Sequence, residues 1–339
     1  VSGRDGLFVN KFQNIGAGKE RGAALLTVLL LVAVIAILAA HGIDRLAGAT
    51  KLASNARELS QAKAYLIAAE TIGMQSAEQI VSVSPGRTIN VGGWNGREQK
   101  FPVPGGMIAA SLADGGNCFN INSLVTQRED ILLARPEGLA QFARLMVMLG
   151  ILDGDAADIA ESVSDWIDSD TTASPRGAED QYYLQQDHPY RTANALMLDV
   201  SELRAIKGIT EDIYVRLSPW VCALPTTDLS PLNINTIRPE QAILLAMLGD
   251  VPADLTLARQ FLGRRPELGY ASLNDFWAQS YPASLGAGGD VQSQVKLTTR
   301  WFRVDLAVEM QSALVEERAL IDAARQPARL VHRQRGDAY

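Results

Sequence analysis

The sequence predicts an α+β fold: one long N-terminal helix, a small antiparallel sheet, and a large all-α domain inserted into that sheet. Three observations carry this. No proline interrupts residues 23–84, which are apolar first and amphipathic afterwards. Strand-like alternation and Gly-rich turns occupy two separate stretches, 85–124 and 290–335. Between them, 125–289 reads as short helices joined by loops rich in Pro, Gly and Asp.

The first element starts behind a charged cluster, Lys19, Glu20 and Arg21. Gly22 follows, and then eighteen residues, Ala23 to Ala40, whose only polar member is Thr27. As a helix this run is roughly 27 Å long, close to the ~30 Å hydrocarbon core of a bilayer. Residues 23–41 are therefore the expected transmembrane part. Upstream, Arg4, Lys11, Lys19 and Arg21 outnumber Asp5 and Glu20, which keeps the N-terminus cytoplasmic and sends the bulk of the chain across. A cleaved secretory signal has a shorter apolar region and a small-x-small cleavage site, which Leu38-Ala39-Ala40 matches poorly. A plain anchor gives no reason to place a glycine between the charges and the apolar run, nor to continue as a helix. This chain does continue: over 42–84 apolar or small residues recur at helical spacing, from Ile43 and Leu46 through Leu59, Leu66 and Ile72. Arg45, Lys51, Arg57, Glu58, Lys63 and Glu70 occupy other faces, and Pro85-Gly86 supplies the stop.

The sheet follows. Residues 87–124 alternate short strand-like runs with Gly-rich turns, and Asn95-Gly96 is a hairpin signal. Near the other end, Phe302, Val304, Leu306 and Val308 alternate with more polar residues, and 313–323 and 328–333 can pair with that strand. In the insertion, the helix candidates are Glu137–Leu149, Ala156–Ile167, Val200–Ala205, Asp212–Leu217, Pro239–Met247, Pro252–Leu262 and Ser272–Gln279.

Charge and motifs narrow the function classes. The 339 residues carry a net charge of -7, against the basic stripe that a nucleic-acid-coating surface needs. Two segments, 201–217 and 232–248, look like helix-hairpin-helix units, which makes a membrane-anchored DNA-binding or uptake protein the competing class. Thr210 stands where such hairpins carry a second glycine, and Glu211 and Asp212 follow it, placing acid where a phosphate would sit. His41, His188 and His332 match no metal-ligand spacing, and no Ser/His/Asp arrangement, phosphate loop or metal-hydrolase motif points to an enzyme. Cys118 and Cys222 are a disulfide pair in an exported domain and buried thiols in a cytosolic one.

One loop carries chemistry. Between Ile151 and Asp187 there are ten acidic residues and one basic, Arg176. Numbered as a twelve-residue calcium loop from Asp168, positions 1, 3, 5 and 12 are Asp168, Asp170, Thr172 and Glu179. Hard oxygen donors without His or Cys suit Ca²⁺. Ala173 replaces the sharp-turn glycine and Pro175 stiffens the middle, so the loop is not an EF-hand. A solvated acidic loop is the alternative.

A basic leader over 1–22 ending in Gly22, an apolar helix, and an amphipathic extension resemble the N-terminus of type IV pilins and pseudopilins. The resemblance implies cutting after Gly22 by a prepilin peptidase and methylation of the new terminal residue, Ala23. Most members carry glutamate at the mature fifth position, here Thr27, and its absence is similar to the K-type minor pseudopilins of type II secretion systems. "CFNINSL" at 118–124, "DWIDSD" at 165–170, "GAED" at 177–180, "VSELRAIKGI" at 200–209 and "LNINT" at 232–236 resemble that family too. The resemblance implies a pilin-like helix and sheet with an inserted helical domain, and assembly with I-type and J-type minor pseudopilins. It also implies a cap at the tip of a periplasmic pseudopilus, held in the bacterial inner membrane by a single span. It further implies structural Ca²⁺, with Asp168, Asp170 and Glu179 on acidic motif positions, Asp180 beside them, and Thr172 added by spacing. Neither catalysis nor nucleic-acid binding is expected. A periplasmic location makes a Cys118–Cys222 disulfide, joining sheet to insertion, the expected state.

Overall fold

The computed structural model describes residues 19–249 and 253–336, so most of the expected leader lies outside the described residues. Helix α1 is continuous from Lys19 to Val83. Residues up to Ser60 form one unit and those from Gln61 onward a second. In the first unit the large apolar side chains from Leu25 to Leu38 stand exposed, and α1 is long and apolar enough to cross a membrane.

In the second unit the chain leaves α1 for β1 (Arg97–Val103) and β2 (Gly106–Asp114). The insertion then contributes β3 (Phe119–Asn120), β4 (Val125–Arg128), β5 (Ile131–Ala134), α2 (Pro136–Met148), α3 (Asp153–Ile167), α4 (Asp180–Tyr183) and α5 (Glu211–Leu217). It continues through β6 (Val221–Cys222), β7 (Leu232–Asn233), α6 (Ala242–Ala246), α7 (Leu255–Gly263), α8 (Leu273–Trp277), α9 (Ser280–Ser284), α10 (Gly289–Gln294) and β8 (Val295–Lys296). Strands β9 (Trp301–Met310), β10 (Leu314–Asp322) and β11 (Arg329–Arg335) complete the main sheet, ordered β1-β2-β9-β10-β11 and antiparallel throughout.

The period-2 pattern of β9 explains its central place. Phe302, Val304, Leu306 and Val308 face α1 and are buried with Ala62, Leu66, Ala77 and Ile321. Each fully buried Phe or Leu contributes on the order of 1.5–3 kcal/mol. Gly73 lets the helix come close, since a Cβ there would lie 2.9 Å from Val304 Cγ2. The amphipathic face of α1 also carries Glu70, which is buried and accepts two 2.7 Å hydrogen bonds from Arg333 of β11.

The insertion holds its own core and is built from one motif used twice. In the first copy Asn122 clamps Met197: its Oδ1 accepts from Met197 N at 2.8 Å and its Nδ2 donates to Met197 O at 2.9 Å. In the second, Asn235 clamps Tyr270 in the same way, at 2.7 and 3.1 Å. Each clamp follows a two-residue strand that pairs in parallel with a strand closing the copy, β3 with β6 and β7 with β8. Six residues past each clamped residue, Leu203 and Phe276 are fully buried. The similar strings at 118–124 and 232–236 are the sequence trace of this repetition.

Two expectations need correction. Asn95-Gly96 is not the hairpin turn: the β1–β2 turn is Pro104-Gly105, with Gly105 at φ +85° and Val103 paired to Gly106. Proline followed by a positive-φ glycine is the type II pattern. Asn95 instead bridges sheet and insertion, its Oδ1 accepting from Asp114 N and its Nδ2 donating to Thr236 O. The insertion is also not purely helical, because β4 and β5 form a hairpin and the parallel pairs join its ends. The helix expected from Pro252 starts, among the described residues, at Leu255, with Asp254 as its N-cap. Near the second candidate hairpin, α6 spans only Ala242–Ala246, preceded by a 3₁₀ turn over Pro239–Gln241.

Candidate functional site

The acidic loop is where the two copies differ most. Residues 168–196 connect α3 to the first clamp, whereas 264–269 suffice in the second. The additional length carries the carboxylates. Asp168 caps the C-terminus of α3 and Glu179 precedes α4, both buried; Asp170 is exposed between them. One carboxylate oxygen from each lies within 4.8 Å of the others.

Local hydrogen bonds set this geometry. Asp168 Oδ1 accepts from Asp170 N at 3.3 Å, and Asp170 Oδ1 accepts from Thr172 N at 2.7 Å, so the chain curls around the acids. Asp165, one turn back, fastens the far side by accepting from Ser174 N at 3.0 Å and Ser174 Oγ at 2.6 Å. Gly177 passes this carboxylate so closely that a Cβ would sit 1.9 Å from Asp165 Oδ2. Trp166, Tyr183 and Tyr190 stack edge to face beneath the loop, with centroids 5.4 and 6.1 Å apart.

The environment of Asp168 and Glu179 disfavours their charged forms. Burial, with the charge of Asp170 second, pushes the Asp168 carboxyl up to about 7. Burial also raises Glu179, and its Oε1 is shielded from solvent with no hydrogen-bond partner. A buried, unpaired carboxylate oxygen among like charges is costly, and a hard divalent ion with oxygen ligands at about 2.3–2.6 Å removes that cost. The donor set therefore fits Ca²⁺.

The loop brings Asp168, Asp170 and Glu179 together, as the spacing suggests. Thr172 belongs to the same curl through its backbone N–H and has an exposed side chain. Asp180 is the correction. Its carboxylate accepts from Arg191 Nη1 at 2.7 Å, Thr192 N at 3.0 Å and Thr192 Oγ1 at 3.0 Å; hydrogen bonding from Thr192 first, and Arg191 with it, holds it below the usual range. It pins the returning segment of the loop and is not a free ligand. Sequence spacing missed Asn194, which donates to Asp170 O at 3.4 Å while its own Oδ1 is buried without a partner. Its φ of +46°, tolerated best by Asn, is a structural signal with no sequence counterpart.

The remaining site residues lie elsewhere. Gly22, Ala23 and Thr27 sit on α1, and Thr27 Oγ1 donates to Ala24 O at 2.9 Å. Cys118 and Cys222 are joined in a disulfide with Cα atoms 5.8 Å apart, tying the end of the main sheet to the first copy of the motif. At the first hairpin-like unit, Thr210 Oγ1 accepts from Ile213 N, and Glu211 pairs with Arg204 at 2.7 Å. That turn's free amide is thus occupied by its own cap.

A membrane-length helix that continues into a soluble domain and packs there against an antiparallel sheet defines a pilin-like subunit of a membrane-based assembly. Comparison with known proteins narrows this. Family models for "Type II secretion system (T2SS), protein K" match residues 117–226 and 232–298. Type II secretion system protein K of Pectobacterium carotovorum subsp. carotovorum is 35% identical over 320 residues, covering 94% of this chain and 97% of the relative. That of Klebsiella pneumoniae is 32% identical with the same coverage. In the solved GspK-GspI-GspJ complex from the enterotoxigenic Escherichia coli type 2 secretion system, a chain 28% identical superposes with TM-score 0.72, covering 83% of this chain and 98% of that one. The chain belongs to the type II secretion system protein K family, a structural minor pseudopilin component of the secretion machinery.

Proposed function

We propose that this chain caps the tip of the periplasmic pseudopilus and starts its assembly together with I-type and J-type minor pseudopilins. The observation that carries this reading is Thr27. Its hydroxyl turns back onto its own helix, so the apolar run offers no carboxylate to the N-terminal amine of a neighbouring subunit. A subunit without that link makes a poor middle repeat and suits the first position. The breadth of the inserted domain agrees, since it would crowd an array of equivalent repeats. Assembly of the superposed relative in a complex with GspI and GspJ supports the choice of partners.

In this reading Gly22 is the processing point of prepilin peptidase, Ala23 becomes the methylated N-terminus, and residues 23–41 span the inner membrane once. The N-terminus faces the cytoplasm and the bulk of the chain the periplasm. Asp168, Asp170 and Glu179 hold a structural calcium ion that neutralises them and orders residues 168–196. Mass analysis of protein purified from membranes of a host with prepilin peptidase tests the processing. Methylated Ala23 at the terminus is the expected result; a terminus after Ala40, or an uncut chain, overturns it.

A further inference from the structure

The face of the main sheet opposite α1 meets the insertion in a cleft of about 550 Å³. Arg303, Arg318 and His332, from β9, β10 and β11, line its sheet side, and Leu198, Tyr214 and Pro219 line the insertion side. Arg204 and Arg238 also line it, so four arginines converge here in a chain of net charge -7.

Few acids answer them. Two carboxylates, Asp114 and Asp199, line the cleft, and both have other donors. Asp199 accepts from Ser201 N at 2.8 Å as a helix cap. Asp114 is buried and accepts from Thr236 Oγ1 at 2.6 Å, Gly116 N at 2.9 Å, and the Thr299 hydroxyl. Arg303 and Arg318 share the single carboxylate of Asp305, at 2.9 and 2.7 Å. Arg204 is held by Glu211 with its guanidinium 4.6 Å from the Tyr214 ring centre. Arg238 has no ion-pair partner among the described residues, and Nε2 of His332 is shielded from solvent without a hydrogen-bond partner.

We propose that this cleft binds an extended acidic segment of a partner polypeptide, one that alternates carboxylate and apolar side chains. Guanidinium forks match carboxylates two bonds at a time, and His332 Nε2 supplies a further donor. Leu198, Tyr214 and Pro219 take the apolar side chains. A small inorganic anion would leave those apolar groups unmatched, and the chain's acidic balance opposes a nucleic acid. The volume is within the roughly 300–1,000 Å³ of a formed binding pocket. This inference does not depend on the tip position.

The test uses the full chain in mild detergent and fluorescein-labelled decapeptides alternating Leu with Glu, Gln or Lys, read by fluorescence anisotropy. The Glu peptide should bind about tenfold or more tightly than the Gln peptide, as one lost charge-assisted contact of about 1.4 kcal/mol implies. Raised salt should weaken it. Arg238→Ala, which breaks no ion pair, should weaken Glu-peptide binding severalfold with the melting temperature unchanged, and adding Arg204→Ala should weaken it further. Equal binding of the Glu and Gln peptides, binding that survives both substitutions, or no binding by any peptide overturns the proposal.

Discussion

If Asp168, Asp170 and Glu179 hold calcium as proposed, its removal should destabilise the domain measurably, and the acidic loop sets the size of the effect. Three carboxylate oxygens lie within 4.8 Å of one another. At an effective dielectric of about 20, two unit charges at that separation repel by about 3.5 kcal/mol. The three pairs together approach the ~5–15 kcal/mol total stability of an ordinary domain. Protonation or opening of the loop relieves this repulsion, and burial first, with the charge of Asp170 second, raises the Asp168 carboxyl. An ion at a hundred times its dissociation constant contributes about 2.7 kcal/mol, and domains of about 150–250 residues shift by roughly 2–4 °C per kcal/mol. Thermal unfolding of the full chain in detergent, in saturating Ca²⁺ against EGTA, should therefore show a drop of roughly 5–10 °C by these same relations. Trp166 fluorescence should change with it, since Trp166 lies two residues from Asp168 and its ring packs on Tyr183. Glu179→Gln should lose most of the calcium response. Superimposable curves with Ca²⁺ and with EGTA, or an undiminished response in the Glu179→Gln protein, would refute the reasoning.

Other substitutions probe the supports. Asp114, raised from 3.8 to about 6 by burial, contributes stability that is complete below its unfolded value and lost as pH rises through 6. In saturating calcium, Asp114→Asn should therefore gain on the wild type by about 2–3 kcal/mol between pH 4 and pH 7, measured by urea unfolding. Replacing Cys118 and Cys222 by serine releases a crosslink with a sequence separation of 104 and should cost about 2–5 kcal/mol, seen as a lower urea midpoint. Glu70→Gln leaves Arg333 with only Glu317, at 3.5 Å, as a carboxylate partner and should destabilise by about 1.5–3 kcal/mol, with faster hydrogen exchange in β11.

The α+β plan was legible because its signals are periodic and local. The helix ends at Val83, next to the expected Pro85-Gly86 stop, and the alternation at Phe302, Val304, Leu306 and Val308 marks the strand with the greatest burial. Short pieces were not legible. Two-residue strands such as β3 and β7 carry no period, and their existence depends on partners about 60–100 residues away. Asn95-Gly96 has hairpin chemistry, yet two long-range hydrogen bonds of the Asn95 side chain outweigh the local preference. In the acidic loop, spacing found Asp168, Asp170 and Glu179 because they lie within one curl of chain. The family resemblance placed Asp180 beside them, but its Arg191 and Thr192 partners come from the returning segment of the loop; spacing missed Asn194, which reaches the backbone of Asp170 only after the loop closes.

Position in the filament tests the central claim most directly. Pseudopili assembled with an epitope-tagged version of this chain, labelled with gold and imaged by electron microscopy, should carry label at one end of each filament. Label distributed along the filament length would contradict the account, because a subunit with Thr27 in place of the linking carboxylate would then be serving as an ordinary repeat.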